Sequence, residues 1–476
     1  MRRVCVIAAL VLAVTGPAAS AAGPWTDAAA VSGARDAYPR LVAGSDGRGA
    51  VIWRDTVTRC GFRPAVFEAV FGPDGVVGAA TAVRSGMDLA FVDEPAVVAG
   101  RRLAVIGSQW RGGRQRGVVV TGHVGRPLAA PVALPGRWSV AQARSRPPER
   151  CNPQLPGGIG VPVAASVRGV TMPLGVAASA TGDVAVVARR CAGAGDCRPS
   201  APLLWVRRRG HHAKTYRLAG NGRTYAADVA ISARGDVLVA WERNDRLYAR
   251  ILTQHGWRSA AQQLGDTQAF AHIHALFASD RHAVVAWADQ AVSEGEPTSD
   301  FTAQVARENT GGRFGRARRL GSAPALGTGH YVGYAGVAAA PLADGRVELA
   351  WTDYQADRFA VHTADLNRDG TLTQPQALAP GDGDAVLTGL ASAPSGRLTA
   401  LWLAGTAGAD PGTDEPRRGL FASTRPPTAT AFGQPEQLTD GPADGGSVVI
   451  DPVGDHALAT WRTISGPIAF ATRSTE

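Results

Sequence analysis

Lys214 is the only lysine in this chain, although lysine and arginine together number 49 against 40 acidic residues. The basicity is therefore arginine, and it is scattered among Asp and Glu. Only Arg207-Arg208-Arg209 forms a tight run. Scatter of this kind excludes a continuous nucleic-acid stripe, and the run reads as a solvated strand end rather than a phosphate patch. Long apolar runs are missing too. Val4 to Val14 is the longest and is too short to span a bilayer. Arg2 and Arg3 precede it, Gly16-Pro17 breaks it, and Ala19-Ser20-Ala21 offers a small-residue cleavage site. This is the pattern of a secretory signal over residues 1–21, leaving 22–476 as one exported domain with no membrane span, expected to be a monomer. There is no Gly-x-Ser-x-Gly elbow, no His-Glu-x-x-His pair and no glycine-rich phosphate loop, so no motif names a reaction.

Cysteine is sparse. Beyond Cys5 in the signal there are Cys60, Cys151, Cys191 and Cys197. An even number in an oxidising compartment suggests two disulfides. Cys191 and Cys197 bracket the short loop AGAGD, which leaves Cys60 with Cys151 by elimination, the other two pairings staying open. No Cys-x-x-Cys or flanking His supports a metal at these positions.

What the chain does have is a phrase repeated eight times: an apolar strand, a Gly/Asp turn, and a second apolar strand usually ending in Trp. The copies end at Trp53, Trp110, Ala188 (where the Trp is lost), Trp241, Trp287, Trp351, Trp402 and Trp461. Hairpins recurring every roughly 45–80 residues indicate an all-β radial array, a β-propeller. One full unit is clearest from Ala227 to Asp266. Strand A is Ala227–Ser232, B is Val237–Trp241, C is Leu247–Thr253 and D is Trp257–Leu264. Each Trp at the end of strand B is expected to wedge between blades. Strand D runs from an aromatic start to a Leu, as in GWRSAAQQLG and RFGRARRLG, and the same phrase opens the mature chain as PWTDAAAVSG. The last unit has A, B and C but no D, so the N-terminal segment is expected to supply it and close the ring. Eight blades follow, with seven open if the irregular stretch before Pro173 hides a misassigned hairpin.

The A–B and C–D turns are short. The long insertions (138–173, 290–300 and 404–418) all fall in B–C or D–A connections, which share the other face of the disc. Function is expected on that loop-rich face. Two positions past the strand-B Trp stand Asp55, Arg190, Arg243, Asp289 and Asp353, a charged set that could ring the channel mouth. Tyr225, Tyr334 and His272 stand at the top of strand A, where aromatic rings suit sugar or aromatic ligands. His272 and His274 share a strand face, as zinc ligands would, though no carboxylate completes a motif. Asp365, Asn367 and Asp369 begin like a calcium loop, but Gln376 stands where a bidentate carboxylate is needed, so a plain turn is the stronger reading and no cofactor is expected.

Phrases such as SARGDVLVAW and PLADGRVELAW resemble the repeats of TolB-type and sialidase-like propellers, and above all secreted actinobacterial repeat propellers with no assigned activity. The sialidase Asp-box spacing, Ser-x-Asp-x-Gly-x-x-Trp, differs from SDGRGAVIW here. The sialidase catalytic set finds no residue-by-residue match, so the resemblance implies a fold and not that activity. Three functions remain. The chain is expected to bind an extracellular glycan, peptide or protein ligand. The alternative is a polysaccharide hydrolase or lyase using carboxylates at the channel mouth, and the third is a structural surface protein.

Overall fold

The computed structural model describes residues 25–473 apart from 27–28, 32–38, 45–46, 57–63, 73–76, 86, 91–94, 112–113, 137–168, 193–196, 198–199, 268–271, 281, 289–300, 310–311, 324–335, 356–357, 379–384, 406–418, 440–442, 451–452, 454 and 464–467. Among the described residues every regular element is a strand, and the strands form eight antiparallel sheets. The innermost strands, A of blades 1 to 8, are Arg40–Ala43, Ala96–Ala99, Thr171–Ala178, Ala227–Ile231, His272–Ser279, Val337–Pro341, Ala385–Ser392 and Ala443–Ile450. Each touches strand A of the next blade, and that of blade 8 touches that of blade 1. The closed ring makes the molecule an eight-bladed β-propeller. In blade 2 an extra piece, Met87–Leu89, pairs beside Ala96–Ala99 on the same strand B.

The ring closes as the sequence predicts. Ala29–Ala30 pairs with strand C of blade 8, Ile468–Arg473, with Ala29 opposite Phe470. Thr26 N donates to Thr472 O and Val31 N to Ile468 O, both at 2.8 Å. Trp25 bridges to Arg473 and packs on the blade 7–8 core. In blade 4, strands A, B and C fall within a residue of expectation, while D is split into Gly256–Trp257 and Gln262–Asp266. The A–B turn there needs Gly235, whose φ is 82°. Gly235 N donates to Ser232 O and Ser232 N to Asp236 O, closing the hairpin.

Strand B of each blade is covered on both faces; in blade 4 all of Val237–Glu242 is buried. Trp53, Trp241, Trp287, Trp351, Trp402 and Trp461 are at most 1% exposed, and each lies in the cluster shared with the preceding blade. Blade 3 has Ala188 at that position. Its tryptophan comes from strand C instead: Trp205 packs with Ala188 in the blade 2–3 cluster. Four of the tryptophans stack on the residue opposite them in strand C, namely Phe67, Tyr248, His362 and Phe421. The Gly that follows the strand-D Leu has a packing reason. A Cβ at Gly265 would lie 3.1 Å from the Trp287 ring, and one at Gly321 2.6 Å from Trp351 Nε1.

Ion pairs on the short-turn face pin blade to blade. Arg258 of blade 4 reaches both Asp236 (2.6 Å) and Glu308 of blade 5 (2.7 Å). Arg425 of blade 7 reaches Asp365 of blade 6 (3.1 Å). It also lies 2.8 Å from Glu348, a charge contact rather than an aligned hydrogen bond. Arg397 pairs with Asp455 of blade 8 (2.9 Å), and Arg473 with Glu436 of blade 7 (2.7 Å).

Candidate functional site

The blade 3–4 junction on the loop-rich face is the best-defined corner among the described residues. The connection entering blade 4 carries Thr224-Tyr225-Ala226, and it is clamped from both sides. Arg189, at the end of strand B of blade 3, donates from Nη1 to Thr224 O at 2.9 Å. Glu242, at the end of strand B of blade 4 (Val237–Glu242), accepts Tyr225 N at 2.9 Å and Ala226 N at 3.4 Å on Oε2. The Arg189 guanidinium also sits 5.8 Å from the centre of the Tyr225 ring, within cation–π range. Tyr225 is half-buried and held before any ligand arrives.

Arg243 follows Glu242 and leads into a two-residue turn in which Asn244 and Asp245 both have positive φ (51° and 61°). Asn244 Oδ1 accepts Arg223 N at 2.8 Å, Arg223 pairs with Asp245, and Arg243 Nη2 donates to Asn221 O at 3.4 Å. Both connections are thus tied together beside Tyr225. Arg190 is exposed at the same strand end as Arg189. The Cys191–Cys197 disulfide closes the loop that follows, with Cα atoms 4.6 Å apart. Guanidinium groups around a fixed aromatic ring offer forked donors to a carboxylate and a flat face to a ring.

The other sequence-derived candidates are spread around the disc. Asp353, 8% exposed, accepts Ser322 N on Oδ1 at 2.8 Å. Strand alternation gives it the face of Trp351, against strand D of blade 5 (Arg318–Ala323). His272 opens strand A of blade 5, half-buried, with His274 two residues on. Asp55 lies in strand B of blade 1, its backbone opposite Ala65, with its side chain outside the described residues. Asp289, Tyr334, Cys60, Cys151 and most of the three long insertions also lie outside them. Asp365 serves Arg346 and Arg425, whereas Asp369 accepts Thr371 N at 2.9 Å and Asn367 donates to Thr371 Oγ1 at 3.0 Å. Among the described residues no three His, Cys, Asp or Glu side chains gather as metal ligands would.

Three carboxyls are shifted strongly, and all are buried. Burial raises Glu68 to about 7 against the pull of the Gly125 N–H. Burial also raises Glu242 to about 7, opposed by the backbone N–H groups of Tyr225, Ala226 and Asp245 and assisted by the nearby charge of Asp245. Glu348 is pushed well above the usual range by burial and by its carboxyl neighbour Asp365. Asp365 itself is held low: burial works upward on it, but hydrogen bonding to Glu348 and the charges of Arg425 and Arg346 prevail. The sequence reading singled out neither Arg189 nor these glutamates. Glu242 directly follows Trp241, and that adjacency was the available signal.

No protein-family model and no curated protein sequence matches the chain. Solved structures overlap it distantly. A Dyadobacter fermentans protein titled as of unknown function is 12% identical, with 96% of this chain and 100% of that chain covered and a TM-score of 0.39. A Trypanosoma rangeli sialidase is 9% identical over 92% of this chain and 90% of that one, with a TM-score of 0.35. A puromycin hydrolase is 14% identical over 66% of this chain, with a TM-score of 0.34, and the chain spans only 54% of its length. The activities in those titles belong to those proteins.

Proposed function

We propose that this chain is a binding propeller of the cell exterior, and that it recognises an acidic glycan or peptide at the blade 3–4 junction of its loop-rich face. The observation that carries this is the clamped Tyr225, fixed by Arg189 on one side and Glu242 on the other. Arg243 beside it supplies charge, and Arg190 stands exposed at the same strand end as Arg189. The secretory pattern over residues 1–21 supports export, and the Cys191–Cys197 disulfide accords with an oxidising compartment. No helix among the described residues is long and apolar enough to cross a membrane.

A hydrolase would need an accessible carboxylate pair. The described carboxyls raised most, Glu68, Glu242 and Glu348, are 3%, 0% and 0% exposed and so are not such a pair. The test is a glycan- and peptide-array screen of the chain, with every hit incubated overnight and checked for cleavage. Binding without cleavage, weakened at least tenfold by Tyr225→Ala and by Arg243→Ala, is the expected result. Cleavage of a hit, or binding indifferent to both substitutions, overturns the reading.

A further inference from the structure

The short-turn face is not charged evenly. On blades 4 to 8 several of its arginines meet carboxylates: Arg234 with Asp280, Arg258 with Asp236, Arg346 with Asp344, Arg397 with Asp455. Blade 3 pairs Arg208 with Asp183 in the same way, whereas Arg102 and Arg126 of blade 2 meet no described carboxylate. Two shallow clefts open there side by side, of about 210 and 220 Å³. The first lies between blades 2 and 3 and is lined by Arg102, His123 and Arg207 among others. The second lies between blades 1 and 2, with Arg48, Arg101, Arg126 and again His123 in its wall.

Asp183 is the only carboxylate lining either cleft among the described residues, and it is occupied. Its Oδ2 takes Arg208 Nη1 at 2.9 Å and its Oδ1 takes Arg209 N at 2.8 Å. Arg207 is positioned by donating from Nη2 to Thr121 Oγ1 of blade 2 at 3.0 Å. Arg102 and Arg126 are exposed, and no described carboxylate pairs with either. The turn bearing Arg126 is itself fixed, because buried Glu68 of blade 1 accepts the N–H of Gly125. The arginines are therefore presented on a rigid frame.

We infer that these two clefts form a second binding site, for a linear glycan whose units carry carboxylates, with one acidic unit in each cleft. Each cleft is below the roughly 300–1,000 Å³ that holds a drug-sized ligand, so each suits a single unit. The shared wall at His123 sets the two units next to each other, and linked units gain from binding together. Arginine forks match carboxylates in two-point contacts. No Phe, Tyr or Trp lines either cleft, so unstacked nucleic-acid bases find no broad stacking platform there. This inference stands apart from the Tyr225 site, which is on the opposite face.

The test is a calorimetric titration of the full chain with oligogalacturonate, with galacturonate monomer and a neutral glucan oligomer alongside, at low and high salt. The expected result is binding of the acidic oligomer at least tenfold tighter than the monomer, with no binding of the neutral one. Arg102→Gln combined with Arg126→Gln should weaken it at least tenfold and lower the salt dependence by about two released counterions. Tyr225→Ala should leave it unchanged, which separates this site from the loop-rich face. Both arginines are exposed, and an unchanged melting curve checks that the variant is folded. Absence of oligogalacturonate binding, equal binding of the neutral oligomer, or indifference to the double substitution overturns the proposal. Duplex DNA that binds tighter and displaces the oligomer also overturns it and assigns the face to a polyphosphate.

Discussion

Replacing Glu242 with glutamine should stabilise the protein in alkaline solution and do little in mild acid. Glu242 is fully buried, and its Oε1 has no described protein partner while Oε2 holds Tyr225 N and Ala226 N. Burial raises its carboxyl from the ordinary 4.5 to about 7. Between those two values the folded chain keeps a proton that the unfolded chain releases. Stability from this group is complete below pH 4.5, falls as pH climbs to about 7, and is flat above. A rise of this size corresponds to about 3 kcal/mol. Glutamine has the shape of the protonated carboxyl and still accepts the two N–H groups, but it cannot ionise. Urea unfolding followed by tryptophan fluorescence, on both proteins near pH 5 and near pH 8.5, measures the effect. The advantage of Glu242→Gln should grow by about 2 to 3 kcal/mol from the first condition to the second. An equal difference at both, or a variant less stable in alkali, would refute the buried, raised carboxyl.

Four further outcomes follow from the packing. Asp365→Asn should cost about 1.5–3 kcal/mol at neutral pH, because Arg425 loses its hydrogen-bonded carboxylate and keeps only Glu348 beside it. A loss under 1 kcal/mol in thermal melts would show the pair is not what joins blades 6 and 7. Gly321→Ala should cost about 1–3 kcal/mol, since its Cβ would stand 2.6 Å from Trp351 Nε1 and 2.8 Å from Asp353 Cγ. A wild-type denaturation midpoint would contradict that contact. Cys191→Ser with Cys197→Ser should lower stability by about 2 kcal/mol through the entropy of a short open loop, read as a smaller urea midpoint. Deleting the chain through Ala30 should bare the edge of Ile468–Arg473 and produce concentration-dependent association in size-exclusion chromatography, and a monodisperse monomer would argue against closure by this strand.

The repeat was legible because every blade solves one packing problem. A large ring must fill the gap to the preceding blade, and the end of strand B is where it enters. Blade 3 shows the limit of that reading. Losing the tryptophan at Ala188 looks like a gap in sequence, yet Trp205 supplies a large ring to the same blade 2–3 cluster from strand C. Seeing this needs the register that sets Val186 opposite Trp205, which no single strand displays. The stacking partners of the other tryptophans were hidden for the same reason. Phe67, Tyr248, His362 and Phe421 look unrelated in sequence and become equivalent only across the B–C pairing. In strand D the Leu was visible and its Gly was not, because the atom that forbids a side chain at Gly321 belongs to the next blade.

Charge was harder to read than packing, and the reason is geometric. Counting two residues past each tryptophan gives a repeat position, but strand alternation decides which neighbour that position faces. Asp353 shares the face of Trp351, so it meets the outer strand of blade 5, while Glu242, one residue past Trp241, reaches the backbone that carries Tyr225. The arginine face is a second case. Arg101 and Arg126 fall in the stretch 95–148, which holds nine arginines and no Asp or Glu, whereas Arg48 and Arg207 stand well outside it. The ring sorts those same residues by turn. The A–B and C–D turns of blades 1 to 3 bring Arg48, Arg101, Arg126 and Arg207 to one surface. The fold then sets the arginines of that stretch beside Arg48 and Arg207, which are remote from it in sequence. In a radial repeat protein, surface charge is better counted turn by turn around the ring than along the chain.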